Sequence, residues 1–272
     1  MKDIKPLIPV NIQGLEELAK ELLNETQVVI PSQTDITDPK KYLILPSKTY
    51  GNYSYPDLLV STSRLGYDNG VEKAAKKLNL TLQNTANEQD NTPYIGKIQH
   101  KQALDLNLAL DGLTLNIRQF ADFLNLLKSG KAFYADGSKA DKTLLDNMLD
   151  EITTVRASWR AEWFDNSFGK NTTTYHKFNT NGKLVEVTED LDPDTLMEDR
   201  TPGIDLNSWL RNPTAQGLPR KTVPNGDSYY WPPKDGYVAR FFANSDRAIL
   251  NCYRSPQGSG PVLGVRHAKI RK

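Results

Sequence analysis

The chain has 272 residues, 38% of them hydrophobic, enough for one large domain or two small ones. Lys and Arg number 34 against 33 Asp and Glu, a formal net charge of +1, which argues against a nucleic-acid binder and against an acidic solvating tail. One cysteine, Cys252, excludes an intrachain disulfide. The N-terminal MKDIKPLIPV lacks the apolar run of a signal peptide, and no stretch approaches a membrane span, so a cytoplasmic home is the expectation.

In chain order, Asn11 is placed to cap a helix over Ile12–Asn24, with Leu15, Leu18 and Leu22 at helical spacing. Gln27–Ile30, Tyr42–Leu45 and Leu58–Thr62 read as short strands. Pro31–Lys41 is polar, and Tyr50–Tyr55 is aromatic and turn-rich. Asn69-Gly70 predicts a turn into a helix over Val71–Leu78, and Asn84–Asn91 a surface loop. Leu104, Leu106, Leu108 and Leu110 alternate with Asp105, Asn107, Ala109 and Asp111, the period of a half-buried strand.

Asn116 then caps a helix carrying Ile117, Phe120, Phe123, Leu124 and Leu127, which Ser129-Gly130 ends. A further helix over about Lys139–Arg156 places Leu144, Leu145, Met148, Leu149, Ile152 and Val155 on one face. Beyond Arg156 short strands and turns take over. Thr172–Phe178 and Lys183–Thr188 predict a hairpin with a type I′ turn at Asn181-Gly182, and Asp205–Leu210 a helical turn around Trp209. With no linker between the helical half and the tail, 1–272 reads as one α+β domain.

Catalytic signals are weak. His100, His176 and His267 are far apart, with no zinc spacing. The acidic group Glu186, Glu189, Asp190, Asp192 and Asp194 lacks the EF-hand order. No phosphate loop or nucleophile elbow is present. No cofactor, no metal and no catalysis are therefore expected. The four tryptophans, Trp159, Trp163, Trp209 and Trp231, read mainly as core filling for a loop-rich half, with Trp231 at a rim. Arg160 and Glu162 read as an internal ion pair.

The most informative stretch is Tyr229–Lys272. Ala248, Leu250 and Cys252 fall on one strand face, small or apolar; Arg247, Ile249, Asn251 and Tyr253 fall on the other. A cation, an aliphatic, an amide and an aromatic make that second face a contact surface rather than a solubilising one. Phe242, Asn244 and Asp246 form a second set just upstream. On this reading, replacing Ile249 and Asn251 together changes stability by less than about 1 kcal/mol.

The run Val238-Ala239-Arg240-Phe241, the alternating Ala248, Leu250 and Cys252, and Leu263-Gly264-Val265-Arg266 resemble the variable region of archaeal diversity-generating retroelement variable proteins. The likeness extends upstream to Trp159–Asp165, Leu196–Asp199, Ile204–Leu210 and Gly217-Leu218-Pro219, about the last 115 residues. It implies a C-type lectin-like fold of the formylglycine-generating-enzyme type, with a hypervariable ligand-binding region at 229–266 and no oxidase chemistry, since Cys252 is the single thiol. The residues it nominates for ligand contact are Tyr230, Phe242, Asn244, Asp246, Arg247, Ile249, Asn251, Tyr253, Arg254, Ser255 and Ser259. Mutagenesis at adenines of an Asn codon that keeps its third-position pyrimidine cannot yield Lys, Gln, Glu, Met or Trp. Phe242, Asn244, Asp246, Arg247, Ile249, Asn251, Tyr253, Arg254, Ser255 and Ser259 all pass that filter, and Gln257 does not. The expected ligand is a protein of unknown identity. The competing reading is a carbohydrate-binding protein or enzyme with a pocket lined by the tryptophans and the acidic loop.

Overall fold

A computed structural model describes residues 38–86, 91–157 and 159–271. The helix expected at Ile12–Asn24 and the strand at Gln27–Ile30 lie outside these residues. The described chain is a mixed α+β structure built on two main sheets. Strand β1 (Tyr42–Leu45), β4 (Leu58–Arg64) and β14 (Arg266–Ile270) form a three-stranded antiparallel sheet in the order β1-β4-β14. The larger sheet runs β10 (Tyr229–Trp231), β12 (Ala248–Arg254), β11 (Val238–Ala243), β7 (Arg160–Gly169), β8 (Thr172–Phe178), β9 (Leu184–Asp190). It is mixed, because β10 joins β12 in parallel and β13 (Leu263–Gly264) joins β7 in parallel. Two small hairpins, β2 (Lys48–Tyr50) with β3 (Tyr53–Tyr55) and β5 (Gln83–Ala86) with β6 (Pro93–Gly96), complete the strands.

Five α-helices are described, and each begins where a side chain can satisfy a free backbone N–H. Asp68 accepts from Val71 ahead of α1 (Asn69–Lys77), so Asn69-Gly70 lies in the first helical turn and not before it. Asn116 caps α3 (Ile117–Ser129) and Gly130 ends it at φ +64°, as the sequence predicts. Asp141 caps α4 (Lys142–Thr153), and Asp205 caps α5 (Leu206–Arg211). The predicted fourth helix therefore starts and ends about three residues short, leaving Val155 exposed.

Three expectations are overturned. Residues 104–110 are not a strand: 104–109 belong to α2 (His100–Ala109) and Leu110 is its C-cap, and the helix's buried residues His100, Ala103, Leu106 and Asn107 recur every three or four positions. Ala and Leu are strong helix formers, and Gln102 accepts from the Gln99 N–H at the helix start, so the two-residue alternation of leucines loses to local propensity. Residues 84–86 are paired in β5 rather than looped. The β8–β9 connection is longer than a two-residue turn: Phe178 pairs with Leu184, and Asn179 Oδ1 accepts from the N–H groups of Asn181 and Lys183.

Two hydrophobic clusters pack on opposite faces of the large sheet. The inner cluster joins Phe120, Phe123, Leu124 and Trp209 of the helices to Phe164, Phe241, Leu250 and Cys252. The second joins Val71, Ala74, Ile98 and Leu106 to Trp163, Val238, Phe242 and Ile249. β11 is buried at all six positions and β12 at its first five, the pattern of strands covered on both sides.

A buried charge network fastens the two sheets together. Arg160 on β7 reaches Glu162 at 3.1 Å and Glu151 of α4 at 3.0 Å. Arg266 on β14 meets Glu162 at 3.1 Å, and Arg64 on β4 meets Glu151 at 3.4 Å. The expected Arg160–Glu162 pair is thus one edge of a five-residue cluster. Burial alone would raise the Glu151 carboxyl, but Arg160 and Arg64 hold it down at about 2, and Arg160 and Arg266 likewise lower Glu162.

Two predictions follow from this packing. Because the folded Glu151 value lies below its ordinary 4.5, its contribution is complete above that pH and is lost as pH falls toward 2. Melting temperatures measured across that range should fall steeply in the native chain. In Glu151→Gln that part of the slope should flatten, with stability at neutral pH lower by about 3–5 kcal/mol; an unchanged slope would remove Glu151 from the network. In denaturant unfolding, Leu250→Ala and Ile249→Ala should each cost about 2–5 kcal/mol, since both are buried. A cost under about 1 kcal/mol at Ile249 would restore it to the surface.

Candidate functional site

The end of the large sheet formed by β10, β12 and β11 carries the candidate site. Cross-strand register fixes which side chains share a face. Tyr229 and Trp231 stand beside Ile249 and Asn251, and these in turn beside Phe242 and Arg240. The next neighbours, on β7, are Ala161 and Trp163. On the opposite face Ala248, Leu250 and Cys252 sink into the inner cluster as their alternation predicts, and burial pushes the Cys252 thiol well above its ordinary value.

The nominated residues divide by depth. Tyr230 is 1% exposed in the inner core, so it does not belong to the contact face; the parity of β10 points it away from Tyr229 and Trp231. Phe242, Asn244, Ile249 and Asn251 are buried rather than displayed. Phe242 and Ile249 pack into the second cluster, with Trp159 stacked on Phe242 at 5.7 Å. Asn244 Oδ1 accepts from the N–H groups of Asp246 and Arg247, which makes it a turn former. Asn251 Oδ1 accepts from the Tyr253 N–H. The tolerance expected for an Ile249 and Asn251 double replacement therefore does not hold for this packing.

Six nominated residues reach solvent. Asp246 and Arg247 lie before β12; Tyr253, Arg254, Ser255 and Ser259 lie at and beyond its end. At 3.3 Å per residue, β12 separates the two groups by about 20 Å. Arg247 lies 3.7 Å over the Tyr229 ring and donates to the Pro202 carbonyl. Tyr253 is the hub of the other end: its ring meets Tyr237 at 4.5 Å and Trp231 at 5.9 Å, and its hydroxyl bonds the Lys234 ammonium. Trp231, 43% exposed, is at the rim as its neighbours imply, whereas Trp159, expected in the core, is 47% exposed.

Arg240 is the residue that pattern reading passes over. It is 7% exposed, its guanidinium lies 4.2 Å from the Phe242 ring, and its Nε has no hydrogen-bond partner. Burial, then the nearby charge of Arg254, lowers it to about 9. Arg254 is half-buried, its Nε likewise unpartnered, and it lies against Gly258, where a Cβ would come within 2.7 Å of Nε. The signal was in the sequence: Arg240 is two residues from Phe242 and so shares its face.

Elsewhere, a cavity of about 470 Å³ is lined by Lys48, Arg118, Asp122, Arg211 and Arg220 among others, and one of about 360 Å³ by Arg64, Tyr94, Met148 and Glu151 among others. No tryptophan lines either. Asp122, at the edge of the first, is held by Arg118, Lys48, Tyr50 and Tyr55. His176 binds Asp165 at 2.9 Å; burial lowers its affinity for a proton, and Asp165 outweighs this and raises it. Among the described residues, no group of three or more His, Cys, Asp or Glu side chains is arranged to hold a metal ion, and no helix is long and apolar enough to cross a membrane.

Compared with protein-family models, with curated proteins and with solved structures, the chain finds no match.

A buried guanidinium without a counter-ion works against folding. Arg240→Met, close in volume and uncharged, should therefore raise the melting temperature, by the equivalent of about 1 kcal/mol or more. A fall as large as that of Leu250→Ala would mean that Arg240 is held by contacts worth more than its desolvation.

Proposed function

We propose that this chain is a ligand-binding module, a variable protein of a diversity-generating retroelement on a C-type lectin-like scaffold of the formylglycine-generating-enzyme type. The observation that carries the reading is the division of β12: Ala248, Leu250 and Cys252 lock one face into the core, while Tyr253 at its end meets Trp231, Tyr237 and Lys234 and is followed by the solvent-reaching Arg254, Ser255 and Ser259. Aromatic rings supply large contact area with few rotatable bonds, arginines supply forked donors, and serines adapt. That is the chemistry of a protein-binding surface, and it needs no reaction. Placement of the varied side chains around a strand whose other face is fixed lets the rim change while the framework stays folded.

Burial refines the region. Asp246, Arg247, Tyr253, Arg254, Ser255 and Ser259 are the contact set, joined by Trp231, Lys234 and Tyr237. Phe242, Ile249 and Asn251 shape the floor beneath them. The competing pocket reading has less support, because neither the cavity of about 470 Å³ nor that of about 360 Å³ described above is lined by a tryptophan.

The test is the DNA on both sides of the gene. A reverse-transcriptase gene and a near-copy of the stretch encoding residues 229–272, differing chiefly at adenines, is the expected finding. Differences falling on the codons of the rim residues would name the contact set directly. Flanks with neither element would overturn the reading.

A further inference from the structure

We propose that Arg240 and Arg254 together form the seat for a single carboxylate of the protein ligand, an inference that rests on the binding-module reading of this face. The two arginines approach from adjacent strands: the β11–β12 ladder pairs Arg240 with Asn251 and Val238 with Arg254, and a bulge between Val238 and Arg240 breaks the register. Arg254, opposite Val238, is thus a diagonal neighbour of Arg240 across the ladder, and its charge adds to burial in lowering the proton affinity of Arg240.

Elsewhere in this protein buried arginines are answered. Arg160, Arg266 and Arg64 meet Glu162 and Glu151, and Arg118 meets Asp122. Arg240, 7% exposed against 1–5% for these, is also buried, yet the charge that acts on it is another cation, Arg254. Both Nε–H donors lack an acceptor. Among the described residues, Arg160, Arg266, Arg64 and Arg118 each meet a carboxylate, while the buried Arg240 and the half-buried Arg254 meet none, and this corner is complete only when an anion arrives from outside.

The chemistry of the anion follows from the surroundings. Each guanidinium is a planar fork that matches the two oxygens of a carboxylate. Phe242 and Trp163 flank Arg240, and an apolar floor strengthens a charge-assisted bond to a singly charged group while penalising the desolvation of a doubly charged one. The net charge of +1 supplies no long-range basic field of the kind that draws a phosphate backbone. Trp231, Tyr237 and Tyr253 alongside provide the aromatic contacts that would surround an acidic residue on a protein partner.

Gly258 gives a way to disturb the seat without removing a charge. A methyl there would displace the Arg254 guanidinium, which is the far end of a flexible side chain, and would leave the backbone in place.

The test follows the side-chain Nε–H signals of ¹⁵N-labelled protein, assigned by their loss in Arg240→Gln and Arg254→Gln. Three probes are compared: N-acetylglutamate N-methylamide for a side-chain carboxylate, N-acetylglycine for a chain terminus, and inorganic phosphate. Neutral N-acetylglutamine N-methylamide serves as control. The expected result is a saturable shift of both signals with either carboxylate, at a Kd of about a millimolar. Gly258→Ala and Arg254→Lys should each weaken it several-fold while leaving the melting temperature nearly unchanged. Whichever carboxylate binds more tightly tells whether the partner presents an acidic side chain or a C-terminus. Signals that stay still, move only linearly with ionic strength, or respond to phosphate more strongly than to both carboxylates would overturn the assignment. If Arg240→Gln does not fold, the Gly258→Ala and Arg254→Lys titrations decide the matter alone. Failure here with a retroelement template found beside the gene sinks only the carboxylate seat. Saturable binding with no template sinks the retroelement reading instead and leaves a binding module whose surface is not diversified.

Discussion

The structure depends on a small group of buried charges. Glu151 and Glu162 stand among Arg64, Arg160 and Arg266, which come from α4, both main sheets and the C-terminal strand. Removing charged groups from water is costly, and only mutual pairing in fixed geometry offsets it. The three-stranded sheet therefore cannot slide against the seven-stranded one without exposing an unpaired ion in a dry interior. Arg64 of β4 adds a second tie by donating to the Ala161 carbonyl of β7. Because Arg160 and Glu162 open β7, and β7 is the direct neighbour of β11, the network also sets the position of the strands that carry the candidate site.

That fixed floor explains why residues in a region nominated for variation are so deeply buried. The large sheet has helices and the inner cluster on one side, and α1, α2 and β6 on the other. Ile249 and Phe242 are trapped between these layers. Change at such positions is limited to what still packs, since interiors are as dense as molecular crystals. Change at Tyr253, Arg254, Ser255 and Ser259 meets no such limit. On the proposed reading, the surface has a base of limited volume and a free rim, and its specificity resides chiefly in the rim.

How much of this was legible in the sequence depended on where the deciding contact lay. Asn116 and Gly130 mark α3 because caps act within four residues. Ala248, Leu250 and Cys252 declare their face because a strand alternates by itself. Leu104–Leu110 misled because leucine alternation fits a strand while Ala103, Leu106 and Asn107 also fit one side of a helix, and the helix start supplied by Gln99 and Gln102 settles the choice. Burial of Ile249 was invisible, since its cover includes Val71, Ala74, Ile98 and Leu106, more than 100 residues away in sequence. Tyr230 was misassigned by one position of parity, because nothing local fixes the phase of a three-residue strand. The two-residue turn at Asn181-Gly182 lost to Asn179, whose side chain organises a wider loop.

Arg240 shows the same limit from the functional side. A single arginine in an apolar strand looks, from sequence, like a residue whose long side chain escapes to water. The bulge after Val238 and the flanking aromatic rings hold it in instead. Its burial beside Arg254 without a carboxylate is a local conflict between folding and charge, in a protein that otherwise resolves such conflicts. Sequences tolerate conflicts of this kind where something other than stability is being served. The glycine under Arg254 fits the same interpretation, because only a residue without a Cβ leaves the guanidinium room to lie there. Stability at this corner has been given up in favour of two forked donors held ready, and preorganised donors bind more tightly than donors that must be ordered on contact.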